Sequence, residues 1–308
     1  MDIDELRQDD SPDRRRYRLG MLTLVTEASV PATRFEAWLP RTGDAGDLLP
    51  AIALWVGGPE KREAHRGSAP LVTGGVALWL EEKSDHASLL CPAGHAELDL
   101  EERWGSISPR DGTSDLGALL SASTAILMGR AGAVLMDASA IIDTSGGGWM
   151  IVGPFEDRSR LVHAFVRDGC DYVSDDQLVV RRAHHQAGVV VLESWHRPTA
   201  HSSARQAAAA LPFGKWRPRA QLRGVLLART ISSRTPLPAR AVSRGQALAS
   251  LVDASPHLHS DPVTVDALRE LLASCVARPA FAVMSDRERG YPLGSAVRQL
   301  TDAIDAIV

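Results

Sequence analysis

Short apolar runs separated by glycine and proline fill the first third of the chain: Leu22 to Val25, Phe35 to Leu39, Ile52 to Val56, Val76 to Leu80 and Ala87 to Leu90. Runs of this length and spacing predict β-strands, with room for a helix or two. After Trp104 the pattern changes. Gly112-Thr113-Ser114-Asp115 offers a helix cap ahead of Leu116, Leu119 and Leu120, which puts a linker and a domain boundary near Asp111 to Leu119. Ala125 to Met128 and Val134 to Ile142 then open a second domain. The turn cluster Asp143-Thr144-Ser145-Gly146-Gly147-Gly148 separates Val134 to Ile142 from Trp149 to Val152 and predicts a β-hairpin.

Between Ser159 and Arg167 the apolar period lengthens: Leu161, Val162, Phe165 and Val166 recur as one face of a helix does, and Asp168-Gly169 supplies its stop. Tyr172-Val173 reads as a strand running into Ser174-Asp175-Asp176. Strand, Gly153-Pro154 turn, helix, strand and carboxylates make a βαβ unit that brings a helix N-terminus and two aspartates to one sheet edge. Further on, Val179 to Arg182 and Val189 to Leu192 predict a hairpin with His184 and His185 at its tip. Val225 to Ala228 and Phe281 to Met284 predict strands, and Ser203 to Leu211, Ser243 to Val252, Pro262 to Val276 and Gly294 to Val308 predict helices.

Composition narrows the class. With 308 residues, 44% of them hydrophobic, the chain can bury a substantial core, and a net charge of −4 gives no field to recruit nucleic acid or an acidic membrane surface. Neither a membrane helix nor a signal peptide is expected, and residues 1–16 read as a disordered polar tail. Cys91, Cys170 and Cys275 form no disulfide or zinc pattern, which suits a reducing cytoplasm. Trp38, Trp55, Trp79 and Trp104 read as core or interface, or else as a ligand cage. Lys215, Arg217, Arg219 and Arg223 around Trp216 read as a solvated basic loop, or else as a patch for a phosphate or an acidic segment.

The run Gly153-Pro154, Arg158-Ser159-Arg160-Leu161, Gly169 and Ser174-Asp175-Asp176 resembles the catalytic core of the HPr kinase/phosphorylase family. Asp137-Ala138-Ser139-Ala140, Leu211-Pro212-Phe213 and Leu222-Arg223-Gly224-Val225-Leu226-Leu227 extend the resemblance, which covers about the C-terminal two thirds of the chain. It implies an α/β fold: a P-loop HPr kinase-like core of mixed sheet and flanking helices over residues 113–308, behind a smaller β-rich domain over 17–112. It also implies roles. Asp175 accepts the proton of an attacking hydroxyl and Asp176 holds the metal, or the reverse, with Asp137 where the family has a histidine near the reacting phosphate. With one residue deleted, Arg158 stands where the loop lysine belongs and Ser159 where the Mg²⁺-binding hydroxyl belongs, flanked by Gly153 and Arg160.

The loop departs from that pattern in a way that has physical consequences. Phe155, Glu156 and Asp157 replace the small residues that let backbone amides surround a phosphate, and two of them add negative charge. An arginine fork is also no substitute for a lysine point charge. The expectation is a degraded nucleotide site in a pseudokinase-like protein, non-catalytic or weakly catalytic and with no cofactor expected, serving as adaptor or regulator for a protein or peptide partner in phosphotransfer or peptide modification. Two alternatives stand beside it. One is an active serine kinase of a protein or peptide, using ATP and Mg²⁺ in a rebuilt loop, with Asp175 and Asp176 catalytic. The other is a small-molecule binding protein built on the N-terminal tryptophans. For Asp175 and Asp176 a structural role at a turn is equally open, as is homo-oligomerisation through the helix-rich end.

Overall fold

A computed structural model gives the architecture and describes residues 14–19, 22–27, 52–57, 71–73, 76–80, 85–110, 116–183, 186, 188–194, 216–231 and 239–286. The fold is mixed α/β, with two mixed sheets and four helices among the described residues. The chain divides into two compact units, one formed by residues 1–135 and 256–266, the other by 136–255 and 267–308.

Eight strands build the sheet of the first unit: β1 (Arg14–Leu19), β2 (Leu22–Glu27), β3 (Ile52–Val56), β4 (Leu71–Thr73), β5 (Val76–Leu80), β6 (His86–Cys91), β7 (Gly94–Asp99) and β8 (Trp104–Pro109). Their order is β1-β2-β3-β8-β7-β6-β5-β4, antiparallel except where β3 lies parallel to β2 and to β8. Leu54, Val56, Leu78, Leu89, Ala96, Leu98 and Ile107 lie in the core, and consecutive burial of Ile52, Ala53 and Leu54 shows β3 covered on both faces. Helix α1 (Gly117–Arg130) packs on β3 and β5–β8. Its end is fastened by Arg130, which donates to Asp261 and, at 2.8 Å, to Asp85. The predicted strands at Leu22, Ile52, Val76 and Ala87 are all present, whereas Phe35 to Leu39 and Trp38 lie outside the described residues. Two differences from the sequence expectation arise here. Arg14 to Arg16, expected in the tail, pair with β2 as part of β1, and α1 groups with the first unit rather than opening the second.

The chain passes through β9 (Ala133–Met136) into β10 (Ser139–Ile142), β11 (Gly148–Val152), α2 (Phe155–Arg167), β12 (Asp171–Ser174), β13 (Leu178–Arg182), β14 (Val190–Ser194), β15 (Arg219–Ile231), β16 (Arg240–Ala241), α3 (Arg244–Asp253), α4 (Val265–Cys275) and β17 (Ala280–Asp286). In the second unit the strands run β12-β10-β11-β15, with β17 parallel to β15 and β16 on β17. The start of β15 also pairs with the β13–β14 hairpin through β14. Because β10 is antiparallel to both β11 and β12, those two are parallel to each other with β10 between them. The predicted βαβ unit is therefore present, but its strands are not neighbours. Helix α3 carries a capping box, Ser243 accepting from the Gln246 amide while Gln246 accepts from the Ser243 amide. The Ser203 to Leu211 and Gly294 to Val308 helices, Leu211-Pro212-Phe213, His184, His185 and Lys215 fall outside the described residues.

The core of this unit gathers Trp149, Ile151, Leu161, Phe165, Leu226 and Phe281. Trp149 is fully buried, its ring centroid 6.2 Å from that of Phe281 in a tilted arrangement. Gly224 is the residue that permits this, since a Cβ there would meet the indole at 2.3 Å. All three cysteines are free and buried, and burial pushes the Cys275 thiol up to about 12.

The hairpin turn between β10 and β11 is organised by one carboxylate. Asp143 accepts from the Ser145 and Gly147 amides, the Ser145 hydroxyl, the Trp149 indole at 2.8 Å and Arg223 at 3.0 Å. Burial pushes its carboxyl up, but the hydrogen bonds from Ser145, Trp149 and Gly147 outweigh that and hold it below the ordinary range. A depressed folded value means that Asp143 contributes stability above the unfolded value of about 3.9 and loses it as pH falls through the lower folded value. Asp143→Asn is therefore expected to cost about 1–2 kcal/mol at neutral pH. That deficit should shrink as pH drops below about 4, a convergence that urea unfolding of both proteins across pH would reveal.

Candidate functional site

The strand directions decide where chemistry can gather. β11, β12 and β15 run the same way, so their C-terminal ends, the start of antiparallel β10 and the N-terminus of α2 meet at one edge of the sheet, where ligands of open α/β sheets bind. A cleft of about 660 Å³ lies there, lined among others by Asp137, Gly153, Phe155, Arg158, Asp176, Arg229 and Asp253.

The turn from β11 into α2 is abrupt. β11 ends at Val152 and the helix begins at Phe155, leaving only Gly153-Pro154 between them. A phosphate-binding loop needs several residues here whose amides curl around the anion, and that stretch is absent from the turn. Instead Phe155, Glu156, Asp157 and Arg158 form the first turn of the helix, four residues earlier than the apolar period predicts. Pro154 fits immediately ahead of the helix because its φ is preset and no amide is lost. Gly153 is required by the tight approach to β15: its φ is +138° and a Cβ would come within 2.4 Å of the Ala228 carbonyl oxygen.

Arg158, at the lysine position of the resemblance, is 4% exposed. Its guanidinium donates to the backbone carbonyl of Asp137, and at 3.3 Å to that of Asp176, pinning the β9–β10 and β12–β13 connections together. Burial pushes its pKa below the ordinary value, and the nearby carboxylates of Asp137, Asp176 and Asp175 pull it back. The aspartates that the sequence pairs are split by the fold. Asp175 is 1% exposed, accepts from the Tyr172 hydroxyl at 2.7 Å, and its carbonyl accepts from Ser139 at 2.8 Å. Asp176 lines the cleft.

Of the residues singled out by the sequence, Asp137, Gly153, Arg158 and Asp176 come together at the cleft, while Asp175, Ser159 and Arg160 are not among its lining residues. Ser159 is half-buried on α2 and Arg160 is exposed. The basic patch is also partly committed: Arg217 pairs with Asp171 at 3.0 Å, Arg223 with Asp143, and Trp216 packs on the core. Sequence reasoning missed Arg229, one residue beyond the predicted strand, together with Ser250, Asp253 and Ala254 at the end of α3. The rule that parallel strands present ligands at their carboxyl ends would have pointed to Arg229. Nothing local marks α3 as part of this edge, where the Ala254 carbonyl accepts from the Asp137 amide at 2.8 Å.

Asp137, Asp176 and Asp253 face the space against Arg229 and Arg158, and Arg158 directs donors at two carbonyls. Each like-charge approach of a phosphate oxygen to about 4 Å costs on the order of 4 kcal/mol at an effective dielectric of about 20. Among the described residues no group of three or more histidine, cysteine or acidic side chains could hold a metal ion.

No known family model matches the sequence, and no curated protein sequence does. Among solved structures, the Hpr(Ser) kinase/phosphatase from Coxiella burnetii is a weak structural neighbour, with a TM-score of 0.29 at 9% identity over 56% of this chain and 95% of that one. A likeness that loose has no bearing on chemistry, which rests on the residues above. No helix among the described residues is long and apolar enough to cross a membrane.

Proposed function

We propose that this chain is a non-catalytic, HPr kinase-like protein whose cleft holds a protein or peptide partner in place of a nucleotide, as an adaptor or regulator. The observation that carries the reading is the replacement of a phosphate loop by a two-residue turn, with Arg158 tied to the Asp137 and Asp176 carbonyls. Supporting it, Asp175 is engaged by Tyr172 inside the core, away from where a substrate hydroxyl would approach. What stays open to a ligand is a cleft of mixed charge, lined by Asp137, Asp176, Asp253, Arg158 and Arg229, with Phe155 exposed beside it.

The test is the thermal midpoint of the full chain with and without millimolar Mg²⁺-ATP. A ligand at about a hundred times its dissociation constant stabilises by about 2.7 kcal/mol, which a melting curve resolves easily. The expected result is no shift with ATP, ADP or GTP. A shift that disappears in Asp176→Asn would instead establish the alternative, an ATP-dependent serine kinase with a rebuilt loop.

A further inference from the structure

On the face of the first unit's sheet opposite its leucine core we infer a binding site for a neutral oligosaccharide, centred on Glu97. This site shares no residue with the cleft, which lies in the second unit.

Strand register brings the chemistry together. Residues opposite one another on neighbouring strands share a face, and pairing links Trp79 on β5 to Ser88, Ser88 to Glu97, Glu97 to Ser106, and Ser106 to Trp55 on β3. One row across five strands thus carries a central carboxylate, a serine on either side of it, and an indole at either end. Trp104, opposite Asp99, is diagonal to Glu97 and within reach of it. All three tryptophans are half-buried, so each indole keeps part of its surface open. Leu78, Leu89 and Leu98 alternate with this row along their strands and are buried on the opposite face.

Two observations at the centre of the row call for a ligand that both donates and accepts hydrogen bonds. The Glu97 side chain is 45% exposed although it stands in mid-sheet, and Ser88 donates to one of its oxygens at 2.7 Å. His95, two residues away on the same face, is nine-tenths buried with no hydrogen-bond partner on either ring nitrogen, and its Nε2 stands 3.5 Å from the other Glu97 oxygen. A buried polar ring left unmatched is costly, and a ligand that satisfies it recovers that cost. A hydroxyl both donates and accepts, whereas an ammonium or guanidinium only donates and a carboxylate only accepts. An anion is also repelled by Glu97 and Asp99. The flat apolar face of a sugar ring suits an indole, and its hydroxyls suit Glu97, Ser106 and His95.

The experiment is a titration of isotope-labelled full-length protein with cellotriose, maltotriose, glycerol and N-acetyl-lysine amide, followed by amide shifts and the Trp104 indole resonance. At least one trisaccharide is expected to move the signals of Glu97, Trp104 and Ser106 saturably, half-maximally near about 1 mM, with little effect of salt. Binding is expected to weaken at least about 10-fold in Glu97→Gln, which keeps an acceptor for Ser88 and so preserves the fold. Trp104→Leu, which keeps an apolar group but no indole face, is expected to weaken it as much. Glycerol offers hydroxyls without a ring and the lysine amide offers a cation on an apolar stem, and both are expected to leave these signals in place. No movement by either trisaccharide up to about 10 mM, equal movement by glycerol, or unchanged binding in Glu97→Gln would overturn the inference. Movement of the same signals by the lysine amide and not by the sugars would overturn it too and make Glu97 a cation site.

Discussion

Arg158→Met is expected to destabilise the second unit by about 3–5 kcal/mol, a large effect for a residue that resembles a ligand-binding position. The side chain is 4% exposed and bridges the carbonyls of Asp137 and Asp176. Methionine fills much of the volume but leaves both carbonyls without their donor and three carboxylates without their nearest cation, so desolvation is no longer offset. Arg158→Lys should recover only part of the loss, because a single ammonium does not span two acceptors as a planar fork does. Urea unfolding of the three proteins would rank them as wild type, lysine, methionine. Were Arg158 a phosphate ligand and not a structural pin, its removal would lower nucleotide affinity and leave stability nearly unchanged.

Trp149→Ala is expected to cost about 4 kcal/mol, through two separable losses. The indole is fully buried against Phe281 and Gly224, so truncation opens a cavity in the middle of the β11–β15–β17 layer. It also removes the indole donor from Asp143, which then depends on Ser145, Gly147 and Arg223. Trp149→Phe restores most of the packing but not the hydrogen bond and should cost about 1–2 kcal/mol. Chemical denaturation distinguishes the two, and equal losses for alanine and phenylalanine would contradict the packing role.

The region around these two residues shows what a sequence makes legible and what it does not. The period of Leu161, Val162, Phe165 and Val166 predicts the buried face of α2 correctly, because burial against the sheet is what selects apolar residues at that spacing. The helix start escapes the same logic. Phe155 and Glu156 are exposed, so no apolar period marks them, and the remaining signal is a proline followed by acidic residues in the first turn. The order of strands is likewise hidden: nothing in β11 or β12 encodes that β10 lies between them, since pairing depends on residues distant in the chain. For the aspartate pair, adjacency in sequence suggests a shared role, yet both lie in the bend after β12, where the chain turns and their surroundings diverge. Asp175 goes to Tyr172 in the core and Asp176 goes to the cleft. Asp253 belongs to the same cleft through the fold alone, one residue past the helix that the sequence predicts over Ser243 to Val252.

The measurement that bears most directly on the central claim is calorimetric titration of Mg²⁺-ATP into wild-type protein, Arg158→Lys and Asp176→Asn. Because the two-residue turn leaves no cradle and Arg158 is held by backbone carbonyls, no binding heat is expected from any of the three, including the variant that restores a lysine. Saturable binding to wild type that weakens in both Arg158→Lys and Asp176→Asn would contradict the account and make the cleft a working nucleotide site.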